Sequence, residues 1–469
     1  MYLRNLHISN FRCFRQYNIQ FASGVTVLFG KNGAGKTTLI HALIKALSFI
    51  MYSEKIYETV KEKGKNKKKI VDVKTITNNN PYLHPTGFSK DDFNNHEDKF
   101  IEIEANADFA SELQYVNWKM SVIANNCKLR PAEFKDAFHT FYDWYVATGK
   151  MPLLAYISDS FPHREDNKKS QIVAKIRALR NFGYFDWDEE EGCTNEWIER
   201  LETNLSHQVQ LLAKGIIHND QGIPAKAELQ KEDQAEFEKY YKESKAIEDC
   251  FKSFTDAIVF SDTHNIRVSA LALGKANGNT GKLCVQTPDG REIPFRKLPA
   301  GYKRLFNIVL DLAYRSYILS DCTTTSIPGV VIIDEIDLHL HPELEKVSLQ
   351  QLRHTFPRLQ FIVSTHSPLV LVGIDTTDIS NRILRMTSTD NDPEPISDIF
   401  GFDYNSSLQE IMGVEPSDAE LDSLISSALY LKENGTPEQY DNLYQFLLNK
   451  LNNNELLLNS LLERSSTHC

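Results

Sequence analysis

A glycine-rich segment near the N-terminus constrains the fold of this chain more than any other feature. It follows an apolar stretch, precedes an apolar helical pattern that runs from Leu39 to Leu47, and reads Gly30-Lys31-Asn32-Gly33-Ala34-Gly35-Lys36-Thr37. Glycines at this spacing let the backbone curl around phosphate oxygens, and a helix that starts at the loop adds its dipole. The sequence therefore predicts an α/β domain that binds a nucleotide.

The polar residues of this loop have distinct predicted roles. Lys36 is expected to reach the β and γ phosphates of ATP, and the Thr37 hydroxyl is expected to ligate Mg²⁺. The residues predicted to bind ATP are Gly30, Asn32, Gly33, Ala34, Gly35, Lys36, Thr37 and Thr38.

Two further apolar runs end in polar residues, as buried parallel strands do when they deliver side chains to a site. Residues 329–333 end in Asp334 and Glu335, and residues 361–365 end in His366. Asp334 is predicted to hold Mg²⁺ through water, Glu335 to polarise the attacking water, and His366 to sense the γ-phosphate. An acidic turn after a buried strand is common, so this interpretation depends on the glycine-rich loop upstream.

Charge limits the kinds of partner. The 469 residues carry 52 Lys and Arg against 63 Asp and Glu, so the chain is not a polycation that seeks nucleic acid. One local exception is Lys61–Lys69, with six lysines, within a segment predicted to be a basic loop at residues 55–80. A solvated loop is the favoured interpretation, and a DNA or RNA contact is the alternative.

Cysteine usage and the absence of long apolar runs bear on localisation. The seven cysteines are scattered without a Cys-x-x-Cys pair, which favours free thiols in a reducing cytoplasm. The N-terminus lacks the apolar block of a signal peptide, and no apolar run reaches about 18 residues. We expect a cytoplasmic protein without a membrane partner.

The pattern along the chain predicts an α/β fold with a mixed sheet. Residues 1–165 are predicted to form the first part of the core and residues 258–398 the second. Charged, helix-compatible residues 166–257 are predicted to be a helical insertion, and residues 399–469 a helical tail.

These motifs together resemble the ABC-type P-loop ATPases of the RecF, SMC and OLD group. The resemblance rests on the loop, on Asp334-Glu335, and on the segments Asp337-Leu338-His339-Leu340-His341-Pro342 and Ser364-Thr365-His366-Ser367-Pro368. It implies an ATPase core with ATP and Mg²⁺ as ligands. It also implies that His366 is the switch histidine and that Asp337 lies in a loop at a dimer interface.

The same family carries a segment that covers the γ-phosphate bound by a neighbouring subunit. The candidate segment continues to Arg304 and comprises Leu298, Pro299, Ala300, Gly301, Tyr302 and Lys303. Pro299 stands where the family has a serine, so one phosphate contact is missing and slow hydrolysis, or a nucleotide-locked scaffold, is an alternative. The segment Asn10–Phe14 is similar to the family's first hairpin, which implies that Arg12 lies near the nucleotide.

Further segments resemble the ATPase subunits of bacterial antiphage systems, namely PtuA of Septu and retron-associated relatives. They are residues 154–156, 183–186 and 401–414. This implies a homo-oligomer, dimeric or higher, that regulates a separate effector nuclease of the HNH type, similar to PtuB. We expect no nuclease domain in this chain, since it shows neither an HNH motif nor room for a Toprim domain. The alternative is a RecF-like DNA-binding ATPase that acts in DNA repair.

Overall fold

The structure is a computed structural model, and it describes most of the chain. The described residues are 1–62, 65–77, 80, 83–95, 99–109, 115–124, 127–158, 179–189, 193–214, 216–218, 224–226, 231–256, 266–274, 281–387, 389, 391–397, 419–451, 454–455, 458–459 and 461–462. The predicted segment 401–414 and residues 166–178 of the predicted insertion lie outside these ranges.

The strands of the described residues are short to medium in length. They are β1 (Tyr2–Phe11), β2 (Phe14–Gln20), β3 (Val25–Gly30), β4 (Ser53–Glu62), β5 (Lys65–Thr75), β6 (Phe100–Asp108), β7 (Tyr115–Ile123), β8 (Leu153–Ile157), β9 (Ile216–His218), β10 (Pro224–Lys226), β11 (Ala270–Leu273), β12 (Leu283–Gln286), β13 (Glu292–Pro294), β14 (Gly329–Ile333), β15 (Leu359–Thr365), β16 (Asn381–Met386) and β17 (Glu394–Ile396).

The helices vary more in length. The α-helices are α1 (Lys36–Leu47), α2 (Lys135–Thr148), α3 (Thr194–Lys214), α4 (Lys231–Asp256), α5 (Ala300–Leu319), α6 (Pro342–Thr355), α7 (Pro368–Val372), α8 (Ala419–Asn434) and α9 (Pro437–Lys450). Short 3₁₀ turns occupy Ser48–Met51, Lys90–Asp92, Pro131–Glu133, Arg180–Tyr184 and Phe295–Lys297.

A six-stranded sheet forms the centre of the domain. Its order is β17-β16-β3-β15-β14-β8, and all neighbours are parallel except β17, which pairs with β16 in the antiparallel sense. Every residue of β8, β14 and β15 is buried, as expected for strands covered on both faces. The parallel strands bring their carboxyl ends to one edge, where polar side chains can meet.

A second sheet, of antiparallel strands in the order β2-β1-β6-β7, packs on the same core. The buried Gln360 side chain joins the two sheets, because its amide nitrogen donates to the carbonyls of Leu3 and Ala22 at 2.8 and 2.7 Å. Trp118 Nε1 donates to the Ala46 carbonyl at the end of α1. The predicted α/β fold with a mixed sheet is confirmed.

The segment at residues 55–80, predicted to be a loop, is instead mostly a β-hairpin of β4 and β5. Its strands contain β-branched and aromatic residues such as Ile56, Tyr57, Val60, Ile70 and Val73, and these residue types favour strands. The base of the hairpin is anchored on α2, where Glu54 accepts from Lys135 Nζ and His139 Nε2, each at 2.5 Å. The high lysine content led to the prediction of a loop. Residues 63–64 lie outside the described ranges.

The predicted helical insertion is built mainly on the antiparallel pair α3 and α4. Arg200 pairs with Glu243 at 2.6 Å, Gln208 donates to Ser244 Oγ at 2.8 Å, and Lys214 pairs with Asp233 at 3.3 Å nearer the other end of the pair. Between the helices lies a short antiparallel pair of strands, β9 and β10, so the helical prediction for residues 166–257 was wrong at these strands. These strands reverse the chain between the helices.

Residues 1–401 and 402–469 form two separate compact units. The second unit contains α8 and α9, which pack around an apolar cluster that includes Ile425, Ala428 and Leu447. In the described ranges, no helix is both long enough and apolar enough to cross a lipid bilayer.

Candidate nucleotide-binding site

The phosphate loop lies between β3 and α1, and the structure explains its glycines. A Cβ at Gly30 would lie 2.3 Å from the Met386 carbonyl oxygen. Gly35 has φ +94°, and a Cβ there would lie 2.5 Å from Cζ of Phe14. A side chain at either position would clash, and the positive φ at Gly35 adds strain for any other residue. The local fold therefore requires these two glycines.

Lys36 opens α1 and folds back over the loop. Its Nζ donates to the carbonyls of Gly30 and Lys31 at 2.8 and 3.3 Å. Burial lowers the pKa of Lys36, while nearby carboxylates, chiefly Asp334, act in the opposite direction. The structure thus places a buried cation within the loop, where the sequence predicts a phosphate contact.

Asp334 connects the loop to the tips of two other strands. Its Oδ2 lies 3.4 Å from Thr37 Oγ1, and its Oδ1 accepts a hydrogen bond from Ser364 Oγ at the end of β15. Its backbone N–H donates to the Ile157 carbonyl at the end of β8, at 2.8 Å. The side chain is buried, so its carboxylate has one fixed position relative to Thr37.

Glu335 occupies a strained position next to it. Its φ is +48°, in the left-handed region that non-glycine residues avoid, and such strain accumulates at functional sites. The Glu335 N–H donates to Ser364 Oγ at 2.8 Å. Its Oε1 lies 3.8 Å from Nε2 of His366, and both side chains are about one-third exposed. A carboxylate and an imidazole thus stand together at the solvent edge of the site.

The predicted interface residue Asp337 is held by the end of β15. Its Oδ1 accepts from Thr365 Oγ1 at 2.5 Å and from the His366 N–H at 3.3 Å. This fixes the loop that follows Glu335 to the strand that carries the histidine. A role of Asp337 at a subunit interface stays a prediction.

The predicted covering segment leads into α5. Pro299 is the N-cap residue and provides no side-chain hydrogen bond to the helix. Leu298 and Tyr302 are buried, whereas Ala300 is exposed and Lys303 is partly exposed. Contact of this segment with a neighbouring subunit stays a prediction.

The predicted residue Arg12 lies close to the loop but is engaged elsewhere. Its neighbours in sequence, Cys13 and Phe14, line Gly35. Its own Nε donates to Asp92 Oδ1 at 2.9 Å, and Lys45 Nζ lies 3.2 Å from the same carboxylate. Contact between Arg12 and a nucleotide therefore stays a prediction.

Sequence reasoning missed the roles of Ser364 and Arg304. Ser364 bonds both Asp334 and the Glu335 backbone, as described above. Arg304 Nη2 donates to the carbonyls of Asp334 and Glu335, at 3.1 and 3.0 Å, from a buried position in α5. For Arg304 the sequence offered an arginine among the apolar residues of α5, a pattern that it shares with Arg315.

The oxygen atoms of Thr37 and Asp334 are suitable ligands for a Mg²⁺ ion that is also bound by a phosphate. Mg²⁺ prefers oxygen ligands and is usually held by one or two carboxylates together with waters and substrate phosphates. Thr37 and Asp334 supply a hydroxyl and a carboxylate oxygen 3.4 Å apart, beside the phosphate loop. Within the described ranges, no cluster of three or more His, Cys, Asp or Glu side chains could form an all-protein cage.

A phosphate loop after a parallel strand, with acidic and histidine residues at the tips of the adjoining strands, defines an ABC-type P-loop ATPase core. The chain belongs to the AAA ATPase domain family, whose sequence model matches residues 1–371. The resemblance to this class that the motifs indicated is confirmed.

Among curated proteins, the chain is similar to a retron ATPase and to a Septu protein. It is 25% identical to a retron Vc95 probable ATPase of Vibrio cholerae serotype O1 biovar El Tor, over 80% of this chain and 72% of that protein. It is 27% identical to the Septu protein PtuA of Bacillus thuringiensis, over 35% of this chain and 42% of that protein. The match to PtuA thus spans less than half of either chain.

Solved structures match this chain at lower sequence identity. The SMC head domain from Thermotoga maritima matches 85% of this chain and 100% of its own, with 14% identity and a TM-score of 0.39. The recombination mediator protein RecF-ATPrS matches 84% of this chain and 98% of its own, with 12% identity and a TM-score of 0.39.

Proposed function

We propose that this chain is the ATP-binding and hydrolysing subunit of an antiphage defence complex. One observation carries the proposal of ATP hydrolysis: Thr37, Asp334 and Glu335 come together at the carboxyl edge of the parallel sheet, beside the buried Lys36. The similarity to retron and Septu ATPases supports the proposed setting.

Each group at this edge has a separate task. Loop amides and Lys36 bind the phosphates of ATP, and the α1 dipole adds to the attraction. Mg²⁺, held by Thr37 and Asp334, would neutralise charge on the phosphates. Glu335 orients and polarises the attacking water, and His366, 3.8 Å from Glu335, contacts the γ-phosphate.

We further propose that ATP joins two copies of the chain. The loop at residues 30–37 of one subunit and the segment at residues 298–303 of its neighbour would enclose the nucleotide. The start of α5 suits this task, since backbone N–H groups at a helix N-terminus bind anions. Nucleotide state would then set the shape of the oligomer.

The effector is proposed to be a separate HNH-type nuclease, whose activity the oligomer restrains or releases. The similarity to a retron ATPase and to a Septu protein supports this partnership. The test is co-purification and native mass of this protein with the product of the adjacent gene, with and without ATP. A stoichiometric complex with a nuclease supports the proposal, whereas an ATP-dependent dimer that binds no partner contradicts the effector role.

A second candidate function is a RecF-like ATPase that binds DNA directly, and the lysine-rich hairpin of β4 and β5 favours it. Binding through lysines to phosphates weakens steeply with salt. The change of Lys65, Lys67 and Lys68 to alanine should therefore weaken binding of the protein to duplex DNA. Gel shifts at increasing salt concentrations measure this binding. A matched control changes three exposed lysines elsewhere, Lys90, Lys239 and Lys242. Equal binding by both triple variants would contradict a DNA contact at the hairpin.

A further inference from the structure

The first turn of α5 is tied to the catalytic turn of the same subunit. Arg304 lies one turn after the helix start and is 3% exposed. One terminal nitrogen, Nη2, donates to the carbonyls of Glu335 at 3.0 Å and Asp334 at 3.1 Å. It also lies 3.4 Å from the Ser158 carbonyl, beyond the end of β8. The guanidinium therefore holds the backbone that carries both carboxylates.

The hydrogen bonds from Arg304 matter because Glu335 has an unfavourable backbone conformation. A residue with φ +48° keeps it only where surrounding contacts enforce it. Ser364 Oγ accepts from the Glu335 N–H, and Arg304 donates to its carbonyl, so the peptide groups on both sides of its Cα are fixed. The direction of the Glu335 side chain follows from these two contacts.

The helix start also contacts the loop after Glu335. A Cβ on Gly301 would lie 3.0 Å from the His339 carbonyl oxygen, so helix and loop are in close contact. That loop is fixed in turn by Asp337, which accepts from Thr365 and from the His366 N–H. These contacts thus connect the start of α5 to the turn at Glu335 and to the end of β15 at His366.

We propose that Arg304 is a positioning residue that couples the covering segment to Glu335 of its own subunit. The inference rests on the proposed ATP-joined dimer, in which the same segment contacts the nucleotide of the neighbour. A γ-phosphate engaged by the start of α5 then orients the carboxylate in the other ATP site, through Arg304. Hydrolysis is therefore cooperative in ATP.

A second buried arginine of the same helix provides a matched control. Arg315 pairs with Asp311 at 2.7 Å and donates to the carbonyls of Gly183 and Phe185, at 2.9 and 3.0 Å. These contacts join α5 to the segment before α3 and involve none of the catalytic turn. Substitution of Arg315 therefore tests the effect of replacing a buried arginine that does not contact the turn at Glu335.

The experiment compares Arg304→Met, Arg304→Lys and Arg315→Lys in the full chain. Thermal stability, affinity for a fluorescent ATP analogue, kcat and the dependence of the rate on ATP are measured for each. A misplaced catalytic group costs about 100-fold in rate, so Arg304→Met should lower kcat by roughly 10- to 100-fold. Its affinity for the analogue should stay near that of the wild type, and its sigmoidal dependence on ATP should disappear.

The lysine variant keeps the result interpretable if the methionine variant does not fold. A lysine retains a donor but lacks the planar fork, so Arg304→Lys should recover part of kcat. Arg315→Lys should lower thermal stability and leave kcat and cooperativity of the folded protein unchanged.

Different experimental outcomes would contradict different parts of the proposal. Unchanged kcat in both Arg304 variants, or a loss of ATP affinity as large as the loss of kcat, would overturn the positioning role. A wild-type protein whose hydrolysis shows no cooperativity would overturn the coupling. A wild-type protein that does not bind ATP would instead contradict the proposed function.

Discussion

Nε2 of His366 lies 3.8 Å from Oε1 of Glu335, although the two residues end different strands and are separated by α6. The Ser364 hydroxyl forms hydrogen bonds with both the Asp334 side chain and the Glu335 backbone. The Ser364 hydroxyl therefore connects the ends of β14 and β15.

Glu335→Gln removes the carboxylate that is proposed to polarise the attacking water, and it keeps the size of the side chain. We expect kcat for ATP hydrolysis to fall by roughly 100-fold or more while ATP binding persists, because such groups act mainly in the transition state. Steady-state hydrolysis and equilibrium binding measure the two effects. Glu343→Gln, at an exposed position in the first turn of α6, is the control. A Glu335→Gln variant with wild-type kcat would show that another group activates the water.

Thr37→Val removes the hydroxyl that faces Asp334 at 3.4 Å. We expect the Mg²⁺ concentration for half-maximal hydrolysis to rise about 10-fold, as loss of groups around a metal often causes. A titration of the rate with Mg²⁺ at saturating ATP provides the measurement. Thr148→Val, on an exposed end of α2, should leave the curve unchanged. If both variants behave alike, Thr37 does not contribute to metal binding.

Pro299→Ser places a hydroxyl at the N-cap of α5, where the structure has none. We expect a higher kcat, because in the proposed ATP-joined dimer the serine would supply a donor to the neighbour's phosphate. We also expect a gain in stability of about 1 kcal/mol, because serine is a favoured N-cap. Pro299→Ala separates loss of the proline ring from gain of the hydroxyl. Equal rates for the serine and alanine variants would exclude a phosphate contact at this position.

His41 in α1 should make the protein sensitive to acid. Burial, with smaller effects of Arg12 and Lys45, lowers the pKa of His41 from 6.5 to about 4. Between these values the unfolded chain binds a proton that the folded chain does not, so stability is lost as the pH falls from 6.5 towards 4.

The His41→Gln variant removes this proton uptake. Between pH 7 and pH 5 the wild type should lose about 1 to 2 kcal/mol more stability than the variant, allowing for partial solvent exposure. Urea denaturation at the two pH values measures the difference, with exposed His84→Gln as the control. Identical losses in the wild type and the His41 variant would contradict the prediction.

Local patterns were sufficient for the elements that carry the candidate site residues. The strand before Gly30, the helix after Gly35 and the apolar strands before Asp334 and His366 were all predicted, because buried parallel strands and phosphate loops have short-range signatures. Lysine content misled the prediction at β4 and β5, where cross-strand pairing and the contact of Glu54 with α2 decide the structure. Pairing partners that are distant in sequence leave little local trace.

The sequence by itself determined the class of fold, the phosphate loop and the acidic strand end, since each depends on neighbouring residues. Only the tertiary structure decided that Ser364 bridges Asp334 and Glu335, that Asp92 engages Arg12, and that Arg304 holds the turn that carries the two carboxylates. Those contacts join residues far apart in the chain, and their geometry is fixed by how α5 and the sheets pack together.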